Sequence, residues 1–475
     1  MNVLFAVWEL APFFKVGGLG DVARSLPRSL KTKGVDIRVV LPYYKAISLN
    51  GQKKISVGKF SVKYDGKNVP IEVYKICFID SSIPVYLIKN TKYLNIPIAD
   101  TYALFDLAVC ELATTGISKW KPDIVHGNDS HCGLIPLLIK ERKIPVKTMF
   151  TIHNMQYQNR CPLSIISKIG LDEKCCNVFH WESSRRKINF LLEGMLHADI
   201  VNTVSPTYAK EIFTEEFSAG LDDVINEKNV KVIGILNGID YEIRNPKIDP
   251  FIPYNYALSC KKTISGSKTL YPYEIGKTKN KKYLQRLLGF RVNENIPVTG
   301  FIGRFNTHQK GIDLIHKMLL RADLSGLQFV IMGEGDPGWH EKFEWLRKFN
   351  PKNIYVSNRF DEKMASLIYA ASDFLFIPSK FEPCGLIQMI AMRYGCVPIA
   401  HAVGGLKDTI AHNKDGFLFH RPTSHALEKQ YMEAVDIRNN KPKTFNNIIK
   451  NAMLKDFSWK ISASKYIEVY KKMLY

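Results

Sequence analysis

The sequence predicts an α/β protein with two doubly wound parallel sheets, and three observations carry that expectation. Short apolar runs alternate with helical patterns over nearly all of the 475 residues. Most of the runs are continuously apolar rather than alternating, as parallel strands covered on both faces must be. The chain is also longer than one core sustains, so two domains of roughly 200 to 250 residues are expected.

In chain order the first sheet draws on Val3–Val7, Ile37–Leu41, Ile124–His126, Thr148–Ile152 and Ile200–Val204. The second draws on Val298–Ile302, Gln328–Met332, Asn353–Val356, Phe374–Ile377 and Val397–Ala400. The seam falls just after Leu236-Asn237-Gly238-Ile239-Asp240, which places the domains at residues 1–240 and 241–456. Beyond the seam a basic, proline-containing stretch runs to about residue 282; its Tyr254, Tyr256, Tyr271 and Tyr273 predict partial packing rather than a free linker. The tail 457–475 reads as a helix, with Trp459, Ala463, Tyr466, Ile467 and Tyr470 at helical spacing. No solenoid-period repeat is evident.

Composition narrows the class. Hydrophobic residues make up 46%, and no run of 18 apolar residues or leader-like N-terminus appears, so no membrane association is expected. Nine cysteines, including adjacent Cys175 and Cys176 but no Cys-x-x-Cys, argue against disulfides and zinc and for a reducing cytoplasm. The net charge of +21 is uneven: 30 Lys and Arg stand against 24 Asp and Glu in residues 1–240, and 36 against 21 beyond. No basic-aromatic stretch accompanies it, so small anionic substrates, not nucleic acid, are the expected partners.

The chemistry-bearing motifs follow strands. Lys15-Val-Gly17-Gly18-Leu-Gly-Asp21 comes after the first strand and opens a helix near Asp21. Amides at such a turn suit a phosphate, and so does the cation Lys15; a turn made only for chain reversal is the alternative. Gly127-Asn128-Asp129-Ser130-His131 and His153-Asn154 end two further runs of the first half. In the second half, Gly303-Arg304 to Gln309-Lys310-Gly311, Pro378 to Leu386 around Glu382, and Val403-Gly404-Gly405-Leu406 end three. Ligands of doubly wound sheets sit at those edges.

With these motifs the chain resembles the bacterial and plant glycogen and starch synthases, retaining glycosyltransferases whose two Rossmann-like domains face each other across a cleft (the GT-B fold). The resemblance rests also on Lys187-Ile-Asn-Phe-Leu191, Asn202-Thr-Val-Ser-Pro-Thr-Tyr208, Asn237-Gly-Ile-Asp240, Glu382-Pro-Cys384-Gly385-Leu386 and Asp456-Phe-Ser-Trp459, in family order from residue 2 to the end. It implies that Lys15 with the amides of Gly17 and Gly18 meets the donor diphosphate, and that Arg304 and Lys310 clamp it. Asp21 and Asp129 would line the acceptor side, although both also suit helix capping. His153 would bond the transferred glucose near its 6-hydroxyl, Glu382 would hold sugar hydroxyls, and the backbone of Cys384, Gly385 and Leu386 would orient them. Asn237 would lie at the hinge and sugar pocket. The C-terminal helix would return to the first domain.

Two departures from the family pattern stand out. Arg304 and Lys310 are separated by five residues rather than the usual four, as in archaeal members. Relatives using uridine donors often carry a second glutamate eight residues after the first; here that position is Ile390, in an adenosine-type context from Gln388 to Gly395. ADP-glucose is therefore the expected donor and an α-1,4-glucan the expected acceptor.

The chemistry explains the residue types. Breaking the C1–O bond of a nucleotide-sugar builds negative charge on the departing phosphate, which two fixed cations and a turn of amides stabilise best in a dry site. No metal or other cofactor is then expected. Retaining hydrolases place a carboxylate nucleophile behind the anomeric carbon; the resemblance implies attack on the face the phosphate leaves instead. His131, Cys396 and the Cys384 thiol are expected to be structural; Tyr93 and Tyr102 suit either sugar stacking or packing. The competing readings are a related transferase for UDP-glucose or a small-sugar acceptor, and a non-catalytic glucan-binding scaffold. Oligomeric state is open.

Overall fold

The chain divides into two units, Met1–Gly238 with Trp459–Tyr475, and Ile239–Ser458. The computed structural model describes residues 1–49, 51–77, 83–95, 98–173, 187–258, 263–265, 268–270 and 272–475. Tyr271, Cys175 and Cys176 lie outside them.

In the first unit the described strands are β1 (Asn2–Ala6), β2 (Asp36–Pro42), β3 (Ile55–Tyr64), β4 (Lys67–Cys77), β5 (Pro84–Lys89), β6 (Ile124–Asn128), β7 (Lys147–Ile152), β8 (Arg160–Pro162), β9 (Lys187–Asn189), β10 (Ile200–Thr203) and β11 (Val232–Gly234). Nine of them form one sheet in the order β11-β10-β7-β6-β1-β2-β5-β4-β3, and β8 pairs with β9. From β11 to β5 every pairing is parallel; β6 and nearly all of β1, β7 and β10 are buried, as expected, whereas the edge strand β11 leaves Ile233 40% exposed.

The edge departs from the all-parallel expectation: β3, β4 and β5 pair antiparallel. The local signal is a hairpin turn, Asp65-Gly66, with φ of 51° and 69° between the paired Tyr64 and Lys67. β4 and the end of β3, Phe60–Tyr64, alternate inward and exposed positions because one face meets solvent, and the first half of β3 is largely exposed, so neither strand shows a continuous apolar run.

The C-terminal helix Trp459–Leu474 belongs to this unit and packs against the helix Gly18–Thr32. It is tied to the sheet by a buried chain of hydrogen bonds: Tyr470 Oη to His126 Nδ1 at 2.7 Å, His126 Nε2 to Thr151 Oγ1 at 2.6 Å, Thr151 Oγ1 to Asn202 Oδ1 at 2.6 Å and Asn202 Nδ2 to Tyr466 Oη at 3.1 Å. The proton assignments follow from the amide oxygen, which only accepts. Thr151 must donate to it, so His126 Nε2 donates to Thr151 and Nδ1 accepts from Tyr470. Burial pushes the His126 pKa down to about 3, so the ring is neutral, as this arrangement needs.

The second unit contains β12 (Thr263–Ser265), β13 (Lys268–Leu270), β14 (Val298–Ile302), β15 (Gln328–Met332), β16 (Ile354–Ser357), β17 (Phe374–Ile377), β18 (Val397–His401) and β19 (Phe417–Phe419). Six of these form an all-parallel sheet in the order β16-β15-β14-β17-β18-β19, wound in both directions from β14. The stretch after the seam is packed in part: Tyr256 and Tyr273 are buried, and Tyr254 is 40% exposed. The helix Pro272–Leu287 places two buried lysines there. Lys277 Nζ donates to the carbonyls of Ala370 at 3.2 Å and Ser372 at 3.0 Å, at the end of the helix Glu362–Ala371. Lys281 pairs at 2.7 Å with Asp373, whose other oxygen takes Arg438 Nε at 2.9 Å. Among the described residues no helix is long and apolar enough to cross a membrane.

Asp373 also accepts the Val298 amide at 2.8 Å, which fixes the start of β14. Burial alone would raise its carboxyl; Lys281 and Arg438 override that and hold it well below the usual range. Its stabilisation is therefore complete above the unfolded carboxylate pKa of about 3.9 and is lost only as pH falls toward the folded value. Asp373→Asn leaves two buried cations short of a partner and should cost about 3 to 5 kcal/mol at pH 7. Urea unfolding checks this, and a loss below about 1 kcal/mol would mean that the pair behaves like a solvated one.

Candidate active site

Both sheets reverse their direction of winding at one pair of strands, and the loops leaving that pair diverge to leave a crevice at the carboxyl edge. In the first unit the pair is β1 and β6, and in the second it is β14 and β17. All the predicted site residues except Asn237 lie on loops or helix starts that follow these strands or, for His153, the neighbouring β7.

After β1 the chain turns through Lys15, Val16 and Gly17 into the helix Gly18–Thr32, which begins three residues before the predicted opening at Asp21. Gly17 and Gly18 are exposed. The first turn is held by a residue the sequence reading missed. Glu9, 9% exposed, accepts the amides of Val16 and Gly17 with one oxygen, Oε2, both at 2.9 Å. The Gly17 amide assigned to a diphosphate is therefore engaged within the loop. Lys15 Nζ pairs with Asp21 at 2.6 Å, both side chains being more than 40% exposed. An ion pair so exposed contributes at most about 1 kcal/mol, so an arriving phosphate can displace Asp21 at little cost.

Asp129, just past β6, is strained and buried. Its φ of 62° with ψ of 175° is disfavoured for a residue with a Cβ, and its side-chain Oδ1 has no hydrogen-bond partner among the described residues. Burial pushes the carboxyl up to about 7, the amides of Ser130, His153 and Asn154 opposing and Glu9 adding to the rise. His153, at the end of β7, has Nε2 3.1 Å from Asn128 Oδ1, and burial with His131 nearby brings its pKa down to about 3. His131 stacks on Trp8 at 5.7 Å and meets Tyr102 edge-on at 4.9 Å, so both serve packing. Tyr93 likewise meets Tyr64 edge-on at 5.7 Å. Asn237, one residue before Gly238 closes the first segment of the first unit, is buried, with Oδ1 unpartnered among the described residues.

In the second unit the loops after β14 and β17 are locked together. A Cβ on Gly311, where φ is +62°, would fall 2.1 Å from the Pro378 carbonyl oxygen, so only glycine lets the loops approach. Lys310 Nζ lies 2.6 Å from Glu382 Oε2, which also accepts Ser379 Oγ at 2.9 Å. Arg304 donates to Gln309 Oε1 at 3.3 Å. The next loop closes on the same point: Gly405 donates to the Glu382 carbonyl at 3.0 Å, and a Cβ there would meet the Cys384 carbonyl oxygen at 2.1 Å. Gly385 has φ of +72°, and Gln388 Nε2 donates to the carbonyls of Cys384 and Gly385 at 2.9 and 2.8 Å. Leu386 leads into the helix Ile387–Arg393. Each unit thus gathers its own predicted residues at one crevice: an amide-bearing turn with a lysine in the first, and a lysine-carboxylate pair with an arginine in the second. Among the described residues no group of three or more His, Cys, Asp or Glu is placed to hold a metal.

Known proteins resemble this chain in sequence and fold. Residues 2–227 match the family model described as starch synthase catalytic domain, and residues 289–454 match glycosyl transferases group 1. A glycogen synthase from Petrotoga mobilis is 38% identical, covering 99% of this chain and 98% of that protein. One from Lactococcus lactis is 37% identical over the full length of both. The catalytic domain of starch synthase IV from Arabidopsis thaliana, solved with ADP and acarbose, superposes with a TM-score of 0.86 at 30% identity over 99% of each chain. The chain therefore belongs to the glycogen and starch synthase family and is a glycosyltransferase of the GT-B fold.

Proposed function

We propose that this synthase transfers glucose from ADP-glucose to the non-reducing end of an α-1,4-glucan with retention, without a metal. What supports this above all is Lys310 beside Glu382. One N–H of the ammonium is engaged by the carboxylate at 2.6 Å, which leaves two to meet a diphosphate. Glu382 Oε2 is occupied by Lys310 and Ser379, so Oε1 is the oxygen for a sugar hydroxyl. In this reading Arg304 and Lys15 complete the phosphate contacts with the amide of Gly18, and His153, Asp129 and Asn237 hold the glucose and the acceptor. Charge on the departing phosphate is met by cations already fixed in place, and that phosphate assists removal of the proton from the acceptor 4-hydroxyl. The adenosine donor is supported by Ile390, whose buried side chain has no group to bind a ribose hydroxyl, and by the ADP in the starch synthase IV structure. A cytoplasmic location accords with the six described cysteines being free.

Nucleotide release in the presence of glycogen tests the donor. The kcat/KM for ADP-glucose should exceed that for UDP-glucose; the reverse order would overturn the adenosine assignment and leave the family intact. Turnover should persist in EDTA, because the cations carry the role of a divalent ion; activity lost to the chelator and restored by Mg²⁺ or Mn²⁺ would defeat the clamp. Glu382→Gln keeps the shape and removes the charge that orients Lys310, so kcat should fall about 10²- to 10³-fold. Steady-state kinetics alongside a melting curve would refute that role if both stayed at wild-type values.

A further inference from the structure

We infer that Asn128 is a positioning residue which locks His153 in the Nε2–H tautomer, so that His153 meets the transferred sugar as a hydrogen-bond acceptor through Nδ1. The assignment starts from backbone carbonyls. Asn128 is 1% exposed at the end of β6, and its Nδ2 lies 3.0 Å from the Ala6 carbonyl oxygen and 3.3 Å from that of His126. Carbonyl oxygens only accept, so the nitrogen of the amide must face them and the oxygen must face the other way. That oxygen is 3.1 Å from His153 Nε2. An amide oxygen only accepts as well, so His153 Nε2 carries the proton and donates it. The ring is neutral, since burial draws its pKa down to about 3. With one proton, and that one on Nε2, Nδ1 offers a lone pair.

The consequence reaches the substrate. A sugar hydroxyl is both donor and acceptor, so an Nδ1 lone pair fixes which way its O–H points. A substrate bearing an acceptor-only group at that position finds no partner. The same device operates on His126, two residues before Asn128 on β6, where the amide of Asn202 sets the tautomer through Thr151. Thus two asparagine side chains decide the protons of two neighbouring histidines. The kinetic part of this inference rests on the proposed contact between His153 and glucose; the tautomer itself does not.

The test is two-bond ¹H–¹⁵N correlation of histidine-labelled full-length protein, with the His153 signals assigned by their loss in His153→Gln. The expected wild-type pattern at pH 7 is a protonated Nε2 and a bare Nδ1. A protonated Nδ1, or a charged ring, would overturn the inference from the wild-type spectrum alone, even if no Asn128 variant folds. In Asn128→Ala the pattern should shift toward a mixture of tautomers, and kcat should drop about 10- to 100-fold, by analogy with the partners that orient metal-bound histidines, with donor KM changing less. An unaltered tautomer in a folded Asn128→Ala protein would also overturn it. A shifted tautomer with unaltered kcat would uphold Asn128 as the positioning group and sink the proposed contact of His153 with the sugar.

Discussion

The reversal of strand order at a central pair is the constraint on which everything else in this molecule depends. In a parallel sheet wound outward in both directions the connections of one half lie on one face and those of the other half on the opposite face, so the carboxyl edge parts only where winding changes direction. β1 with β6 and β14 with β17 are those places. Charged and amide-bearing loops therefore gather there without any special sequence spacing. The tight glycine contacts, Gly311 on Pro378 and Gly405 on Cys384, draw the loops of the second unit close enough for one carboxylate to touch two of its partners.

Around the crevices the charges are restrained rather than free. Lys15 leans on Asp21 in solvent, where the pair is weak, and Lys310 is held by the buried Glu382, where it is not. Glu9 shapes the first turn through the amides of Val16 and Gly17, and burial, with a smaller contribution from Glu9, raises the Asp129 carboxyl. Strain at Asp129 and its orphaned oxygen are tolerated because the β6 and β7 ends hold the backbone on both sides.

Several motif residues that identify the family turn out to hold the fold. Asn189, within Lys187–Leu191, caps the helix Phe190–His197 by accepting the Leu192 amide at 3.2 Å. Asn202 belongs to the chain that anchors Tyr466, and Tyr208 Oη accepts the Met155 amide at 3.1 Å. Ile239 donates to the Phe457 carbonyl at 2.8 Å, so the two ends of the second unit pair with one another. In each of these motif residues the polar group is satisfied by a buried hydrogen bond within the fold.

The amino-acid sequence by itself determined the α/β class, the parallel strands and the loops that carry Lys15, Arg304, Lys310 and Glu382, because apolar runs and glycine-rich turns are local signals. The antiparallel hairpin was legible only as Asp65-Gly66, since its half-exposed strands lack a continuous apolar run. Tertiary structure alone decided the partners. Glu9 reaches residues seven and eight positions on, but Glu382 meets Lys310 across 72 residues and His126 meets Tyr470 across 344. No periodicity records such pairs, and the tautomers of His126 and His153 follow from carbonyl and amide oxygens that only the folded chain brings within hydrogen-bond distance.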